Sequence, residues 1–134
     1  MPEIDVHDYF LRGYIVDSVN SKIIFKTEFD YKDYPKNSVN VIFLGVAGYY
    51  FYHDNLKTII FSIEEKTTDQ LFEKYGDLLE EGEKFGWPGG WNESEKQARA
   101  YLTKNNLRIW ELHSSLGMHG FVIAKSIDYQ SLNK

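Results

Sequence analysis

The sequence predicts one α+β domain, residues 1–134, with an antiparallel sheet of about six strands in the order ββββααββ. Three observations lead to this prediction. Segments rich in aromatic and β-branched residues fill the first and last thirds of the chain. The apolar residues of the middle third recur at helical spacing instead. Short turn-forming segments separate the strands, as in antiparallel neighbours. We expect two helices to pack on one face or one end of the sheet.

A hairpin is predicted at the start of the chain. The segment 9–17 is rich in Tyr, Phe, Leu, Ile and Val, and residues 18–21 favour a turn. In the segment 22–29, Ile23 and Phe25 alternate with other residues, which indicates a half-buried strand.

Further strands are predicted in the next part of the chain. Residues 39–46 are almost continuously apolar, as in a strand that is buried on both faces. Residues 57–63 have strand-like alternation. The aromatic run 49–53 fits either a short strand or an aromatic loop, and the sequence leaves both open.

Two helices are predicted in the middle of the chain. Thr67 and Gln70 have the spacing of a capping box, in which each side chain satisfies a free backbone N–H group. The apolar residues after them recur at helical spacing: Leu71, Phe72, Tyr75, Leu78 and Leu79. The second helix is expected to begin near Asn92 or Ser94, because each has Glu or Gln three residues later.

A closing hairpin is predicted from residues 107–114 and 119–126, with Gly117 supplying the positive φ of a tight turn. With a turn centred on Leu116 and Gly117, His113 lies opposite Gly120 and not opposite His119. The two imidazoles then project to opposite faces of the hairpin. We therefore expect no metal site from this pair.

The composition narrows the classes of function. The chain has a formal net charge of −5, which disfavours nucleic-acid binding. It has no cysteine, which excludes thiolate catalysis and cysteine-bound metals and favours a reducing compartment. The N-terminal residues 1–5 are acidic, unlike a signal peptide, and the apolar run 41–46 is too short to span a membrane. The prediction is a cytoplasmic protein without membrane contact.

No catalytic motif is present in the sequence. It contains no H-E-x-x-H, no G-x-S-x-G and no phosphate-binding glycine loop. We expect the polar side chains not to converge, and predict no enzyme activity, no metal and no cofactor. Acid–base use of His113 or His119 would require a carboxylate within hydrogen-bonding distance.

Aromatic and acidic residues are the candidates for partner binding. Trp87 and Trp91 enclose a Pro-Gly-Gly segment that suits an exposed loop with two anchors, and the alternative is that both rings cover the gap between helices and sheet. Tyr49 and Tyr50 are further candidate anchors. The charged rim is assigned to three glutamates near the unfavourable end of the first helix dipole: Glu80, Glu81 and Glu83.

Two stretches resemble a known group of proteins. Residues 7–11, His-Asp-Tyr-Phe-Leu, with Asp17 in the following strand, resemble the opening of many small stand-alone bacterial proteins. The hairpin 110–126 resembles their closing strand pair. Some members are similar to immunity proteins of bacterial toxin systems, so the resemblance implies a protein-binding role and carries over no catalytic residue.

The expected function is therefore a small interaction protein, such as an immunity protein that blocks a toxin with a basic surface. The alternative is a small-molecule-binding domain with an apolar pocket. That alternative requires a cavity lined by residues such as Phe25, Phe43 and Phe61.

Overall fold

The computed structural model describes residues 5–132 as one curled antiparallel sheet with two helices. A short 3₁₀ helix, Glu83–Phe85, lies between the helices. The other elements are β1 (Phe10–Asp17), β2 (Lys22–Phe29), β3 (Asn37–Leu44), β4 (Gly48–Tyr52), β5 (Thr58–Lys66), α1 (Thr68–Gly82), α2 (Glu95–Lys104), β6 (Arg108–Leu116), β7 (His119–Ala124) and β8 (Ser126–Ser131).

The prediction of about six strands in the order ββββααββ is wrong. The sheet has eight strands, in the spatial order β4-β7-β6-β5-β1-β2-β3-β8. The difference arises where the chain bends. Gly45, with φ +66°, ends β3, and the aromatic run after it returns to the sheet as β4. At the second bend the Lys125 N–H donates to the Leu44 carbonyl, and the chain continues as β8.

These bends curl the sheet around a core on its inner face. The Val46 N–H donates to the Ser21 carbonyl and the Ala47 N–H to the Ile123 carbonyl, so strand contacts continue through the first bend. Phe43 of β3 lies 6.0 Å, ring to ring, from Trp110 of β6 although the two strands are not neighbours. The largest fully buried side chains of this inner core are Phe25, Phe43, Ile23, Ile60, Met118, Val39, Val41 and Val122.

Local capping determines where both helices begin. Thr67 and Gln70 form the predicted capping box of α1, and Ser94 caps α2 by accepting from the Gln97 N–H. Asn92, the other candidate cap, is buried and bonds the Leu79 carbonyl at 2.8 Å. Within residues 5–132, no helix has the length and apolar character needed to cross a membrane.

A second core lies between the helices and the outer face of β4, β7 and β6. Tyr50, Ile109, Phe121 and Ile123 point outward from these strands and pack under α1 and α2. Alternation then places Glu111, His113 and His119 on the same outer face, toward the β6–β7 turn.

Candidate functional site

Three histidines converge on the outer face and form what we call the histidine cluster: His53, His113 and His119. His53 directly follows β4, and the other two lie on β6 and β7. The ring centroid of His119 is 6.3 Å from that of His53 and 6.4 Å from that of His113. Because β7 lies between β4 and β6, three neighbouring strands supply the cluster.

The expectation that His113 and His119 project to opposite faces is therefore wrong. Leu112 pairs with Gly120, so the next pair along the ladder is His113 with His119. The register differs by one residue from that of a turn centred on Leu116 and Gly117. A shift of one residue moves a side chain to the other face of a sheet.

A buried carboxylate lies beside the histidine cluster. The side chain of Glu111 is only 6% exposed, and its Oε1 lies 3.1 Å from His113 Nε2. Its Oε2 accepts from the Tyr75 hydroxyl at 2.8 Å and from Lys74 Nζ. Burial acts to raise the pKa of Glu111, but the hydrogen bonds from Lys74 and Tyr75 outweigh it and hold that pKa below its ordinary value. The carboxylate therefore stays ionised at neutral pH.

The phenol of Tyr75 and the imidazole of His119 both stay neutral. Burial, with hydrogen bonding to Tyr52 and Glu111, raises the pKa of Tyr75. The His119 ring stacks on Tyr52 with centroids 5.6 Å apart. Burial lowers the pKa of His119, and positive charge on His113 and His53 lowers it further.

A second carboxylate faces the cluster from β5. Glu64 pairs with Glu111 across the β5–β6 ladder, and Ser62 pairs with His113. Glu64 accepts from the Ser62 hydroxyl at 2.8 Å and lies 3.7 Å from Lys66 Nζ. The Ser62 hydrogen bond, and then the charge of Lys66, lower the pKa of Glu64. Both carboxylates on this part of the face are thus matched by a lysine.

This geometry permits acid–base chemistry or anion binding. An acid–base role for His113 requires a carboxylate within hydrogen-bonding distance, and Glu111 meets this condition. The expectation that the polar side chains do not converge is therefore wrong. Glu111 and Lys74 also line an open cleft of about 390 Å³. In the described part of the chain, no three His, Asp or Glu side chains are grouped closely enough to hold a metal ion.

A separate acidic groove lies between α1 and the start of α2. It has a volume of about 290 Å³. We call it the acidic groove, because four carboxylates line it: Glu80, Glu83, Glu93 and Glu95. Phe72 and Leu79 line its base. No lysine or arginine lines the groove.

Only one of these four carboxylates is paired. Glu95 lies 2.9 Å from Arg99, which also binds Asp69. Glu80, Glu83 and Glu93 form no ion pair with any residue between 5 and 132. The groove therefore combines an apolar base with uncompensated negative charge.

The two tryptophans lie against the helix-covered part of the fold. Trp87 is half-buried and packs edge-on against Tyr50 at 5.6 Å between centroids. Trp91 stacks on Tyr101 at 5.4 Å, and its Nε1 donates to the Ala47 carbonyl at 3.2 Å. Both rings cover the gap between helices and sheet, which is the alternative that the sequence left open to an exposed loop. Their role as partner anchors stays a prediction.

The remaining predicted contact residues are separated. Tyr49 is 37% exposed on β4, beside Phe51 and apart from Tyr50, whose ring belongs to the helix-side core. Glu81 is exposed but does not line the acidic groove. The structure thus brings Glu80 and Glu83 together and leaves Glu81 outside the groove.

The pocket of the small-molecule alternative does not form between its three named rings. Phe25 and Phe43 pack edge to face in the inner core, 5.2 Å apart. Phe61 is 54% exposed and packs on His7. The three rings do not share a cavity.

Comparisons of the chain with protein-family models, with curated proteins and with solved structures gave no match. The similarity to immunity proteins therefore rests on the two sequence stretches alone.

Sequence reasoning missed the histidine cluster, although one signal was present. Glu111 and His113 are two residues apart on a strand, so they share a face whatever the register. Adding His119 required the hairpin register, and adding His53 required the pairing of β4 with β7.

Proposed function

We propose that the protein is a non-catalytic interaction protein that binds a partner with a basic surface, as an immunity protein of a toxin system does. The observation that carries this proposal is the acidic groove, with its unpaired Glu80, Glu83 and Glu93. The formal net charge of −5 steers a basic partner toward the protein over longer distances.

The groove fits a lysine or arginine side chain of the partner. The aliphatic part of such a side chain packs on Phe72 and Leu79, while its charged end reaches the glutamates. Charge complementarity of this kind contributes chiefly to specificity and association rate. The resemblance to immunity proteins supports the same class of partner.

Charge reversal at two adjacent positions of α1 tests this proposal. Glu80 lines the groove and Glu81 does not, so Glu80→Lys and Glu81→Lys change the net charge equally on the same helix. We expect Glu80→Lys to weaken partner binding by about tenfold or more, equivalent to about 1.4 kcal/mol, and Glu81→Lys to weaken it much less.

The partner is first obtained by cross-linked capture from the source cells, and its affinity for each variant is measured by calorimetry. Binding that is lost in high salt and in Glu80→Lys, but kept in Glu81→Lys, supports the proposal. A partner that binds Glu80→Lys as well as it binds the native protein contradicts it.

A peptide probe gives an independent test. A short arginine-rich peptide titrated into isotope-labelled protein is expected to shift the amide signals of residues 79–83 and 92–95. Shifts spread evenly over the acidic residues of the surface would show that the groove is not a preferred site.

A further inference from the structure

We propose that the histidine cluster binds a phosphate group, either as inorganic phosphate or as the phosphate of a monoester. This site is distinct from the acidic groove and goes beyond the proposed interaction function. Its three imidazoles lie on β6, on β7 and directly after β4, and the His119 ring lies within 6.4 Å, between centroids, of the other two.

Free hydrogen-bonding capacity at the cluster is the first argument. Within residues 5–132, the ring nitrogens of His53 and His119 form no hydrogen bond to another residue. A neutral imidazole carries one donor and one acceptor nitrogen. Monohydrogen phosphate also presents both kinds of group, whereas the phosphate of a monoester dianion presents acceptors for the donor nitrogens. These rings and a phosphate are therefore complementary in hydrogen bonding.

The charge balance around the cluster is the second argument. Lys74 neutralises Glu111, and Lys66 is the cation closest to Glu64, so the facing carboxylates leave no uncompensated negative charge. Each proton taken up by an imidazole then adds one positive charge. The hydroxyls of Tyr52, Tyr75 and Ser62 also face the cluster, and Glu73 lines the neighbouring cleft beside Lys74.

The position of Glu111 is the third argument. Its Oε2 accepts hydrogen bonds from Lys74 and Tyr75, and its Oε1 lies 3.1 Å from His113 Nε2, so both oxygens already have close partners. The buried Glu111 side chain contacts His113 at Nε2 and so helps to orient the ring. The other ring nitrogen, Nδ1, is then left for a ligand.

A cation is the competing occupant. Zinc bound by three imidazoles has Zn–N distances of about 2.0–2.1 Å, which brings the rings closer together than the 6.3 and 6.4 Å observed here. No group of His, Asp and Glu in the described residues meets metal geometry. The observations therefore favour an oxyanion.

Histidine-selective NMR of the native protein tests the proposal with inorganic phosphate as the probe, at constant ionic strength. We expect the ring signals of His53, His113 and His119 to shift with saturation. His7, which bonds the Phe61 carbonyl outside the cluster, is the internal control and should not respond.

Variants and a second probe complete the test. His53→Gln and His119→Gln should each weaken phosphate binding by about tenfold, whereas His7→Gln should leave it unchanged. Phenyl phosphate serves as a monoester probe: tighter binding than inorganic phosphate indicates a monoester ligand, and weaker binding indicates free phosphate.

Three results would overturn the proposal. The first is no saturable shift with either probe, and the second is an equal response of His7. The third is a response of the three rings to Zn²⁺ with none to phosphate. The titration of the native protein decides each of these without any variant.

Discussion

The outer face of β4, β7 and β6 has two ends that differ in cover and in chemistry. At one end, Ile109, Phe121 and Ile123 lie under α1 and α2 and are 2% exposed or less. At the other end, the same strands present His113 and His119, which are partly open to solvent. Glu111 lies at the boundary, buried and bonded to Lys74 and Tyr75 of α1.

This difference shows how one alternating pattern serves two purposes. The residues under the helices stabilise the fold by removing apolar area from water. The residues beyond the helices contribute little to that core and present imidazole groups that are partly open to solvent. A charged group at the boundary costs free energy to bury unless it is fully paired, and Glu111 has three partners.

The largest effect is expected at the covered end. Phe121→Ala should lower the free energy of unfolding by about 3–5 kcal/mol, because it leaves a cavity beneath Tyr50 and Tyr75. Urea unfolding measures this change. Phe61→Ala is the control at an exposed ring and should cost about 0.5 kcal/mol or less. Similar costs for the two variants would mean that Phe121 is not in a packed core.

A smaller effect is expected at the boundary. Glu111→Gln should cost about 1–3 kcal/mol at neutral pH, because it removes charge-assisted hydrogen bonds from a buried site. Glu64→Gln is the matched control, since the side chain of Glu64 is 51% exposed and also lies near a lysine. Urea unfolding at neutral pH compares the two variants, and equal costs would contradict the buried position of Glu111.

The same variant has a predicted pH dependence. The pKa of Glu111 in the folded protein lies below its ordinary value of 4.5, so the unfolded chain binds this proton more readily. Glu111 therefore contributes stability that is present above pH 4.5 and is lost as the pH falls through the folded pKa. The difference in stability between the native protein and Glu111→Gln should shrink as the pH falls below 4.5.

A still smaller effect on stability is expected at Trp91, which packs beside the covered end. Trp91→Phe keeps an aromatic ring over Tyr101 but removes the Nε1–H that bonds the Ala47 carbonyl. The expected loss is about 0.5–1.5 kcal/mol by thermal or urea unfolding. No loss at all would indicate that the loop does not pack as described.

The smallest effect is expected at the open end. His119→Gln should change stability by about 0.5 kcal/mol or less at neutral pH. The pKa of His119 lies below its ordinary value of 6.5 in the folded protein, so the native protein loses stability as the pH falls from 6.5 through the folded pKa. The variant should not show this loss, and equal pH profiles from urea unfolding would contradict the placement of His119.

The sequence predicted those features that depend on neighbouring residues. Thr67 with Gln70 and Ser94 with Gln97 place the helix starts, because a capping interaction spans three residues. The alternation of Ile23 and Phe25 predicted a half-buried strand, because a strand pattern repeats every two residues, and both side chains are buried in β2.

Features that depend on distant pairing were not predicted. The run 49–53 becomes a strand mainly because β7 pairs with it, and the chain after Lys125 becomes β8 because β3 pairs with it. The histidine cluster depends on a one-residue difference in the β6–β7 register, which the turn residues alone do not determine. The half-buried position of Trp87 was likewise not predictable, because the ring packs against Tyr50, which is distant in sequence.

The most direct test of the histidine cluster is an NMR titration of each imidazole in the native protein and in His113→Gln. Since positive charge on His113 lowers the pKa of His119, removing it should move the His119 midpoint to higher pH. The His7 midpoint should stay unchanged, as His7 lies outside the cluster. A His119 midpoint that is the same in both proteins would show that the two rings do not meet on one face.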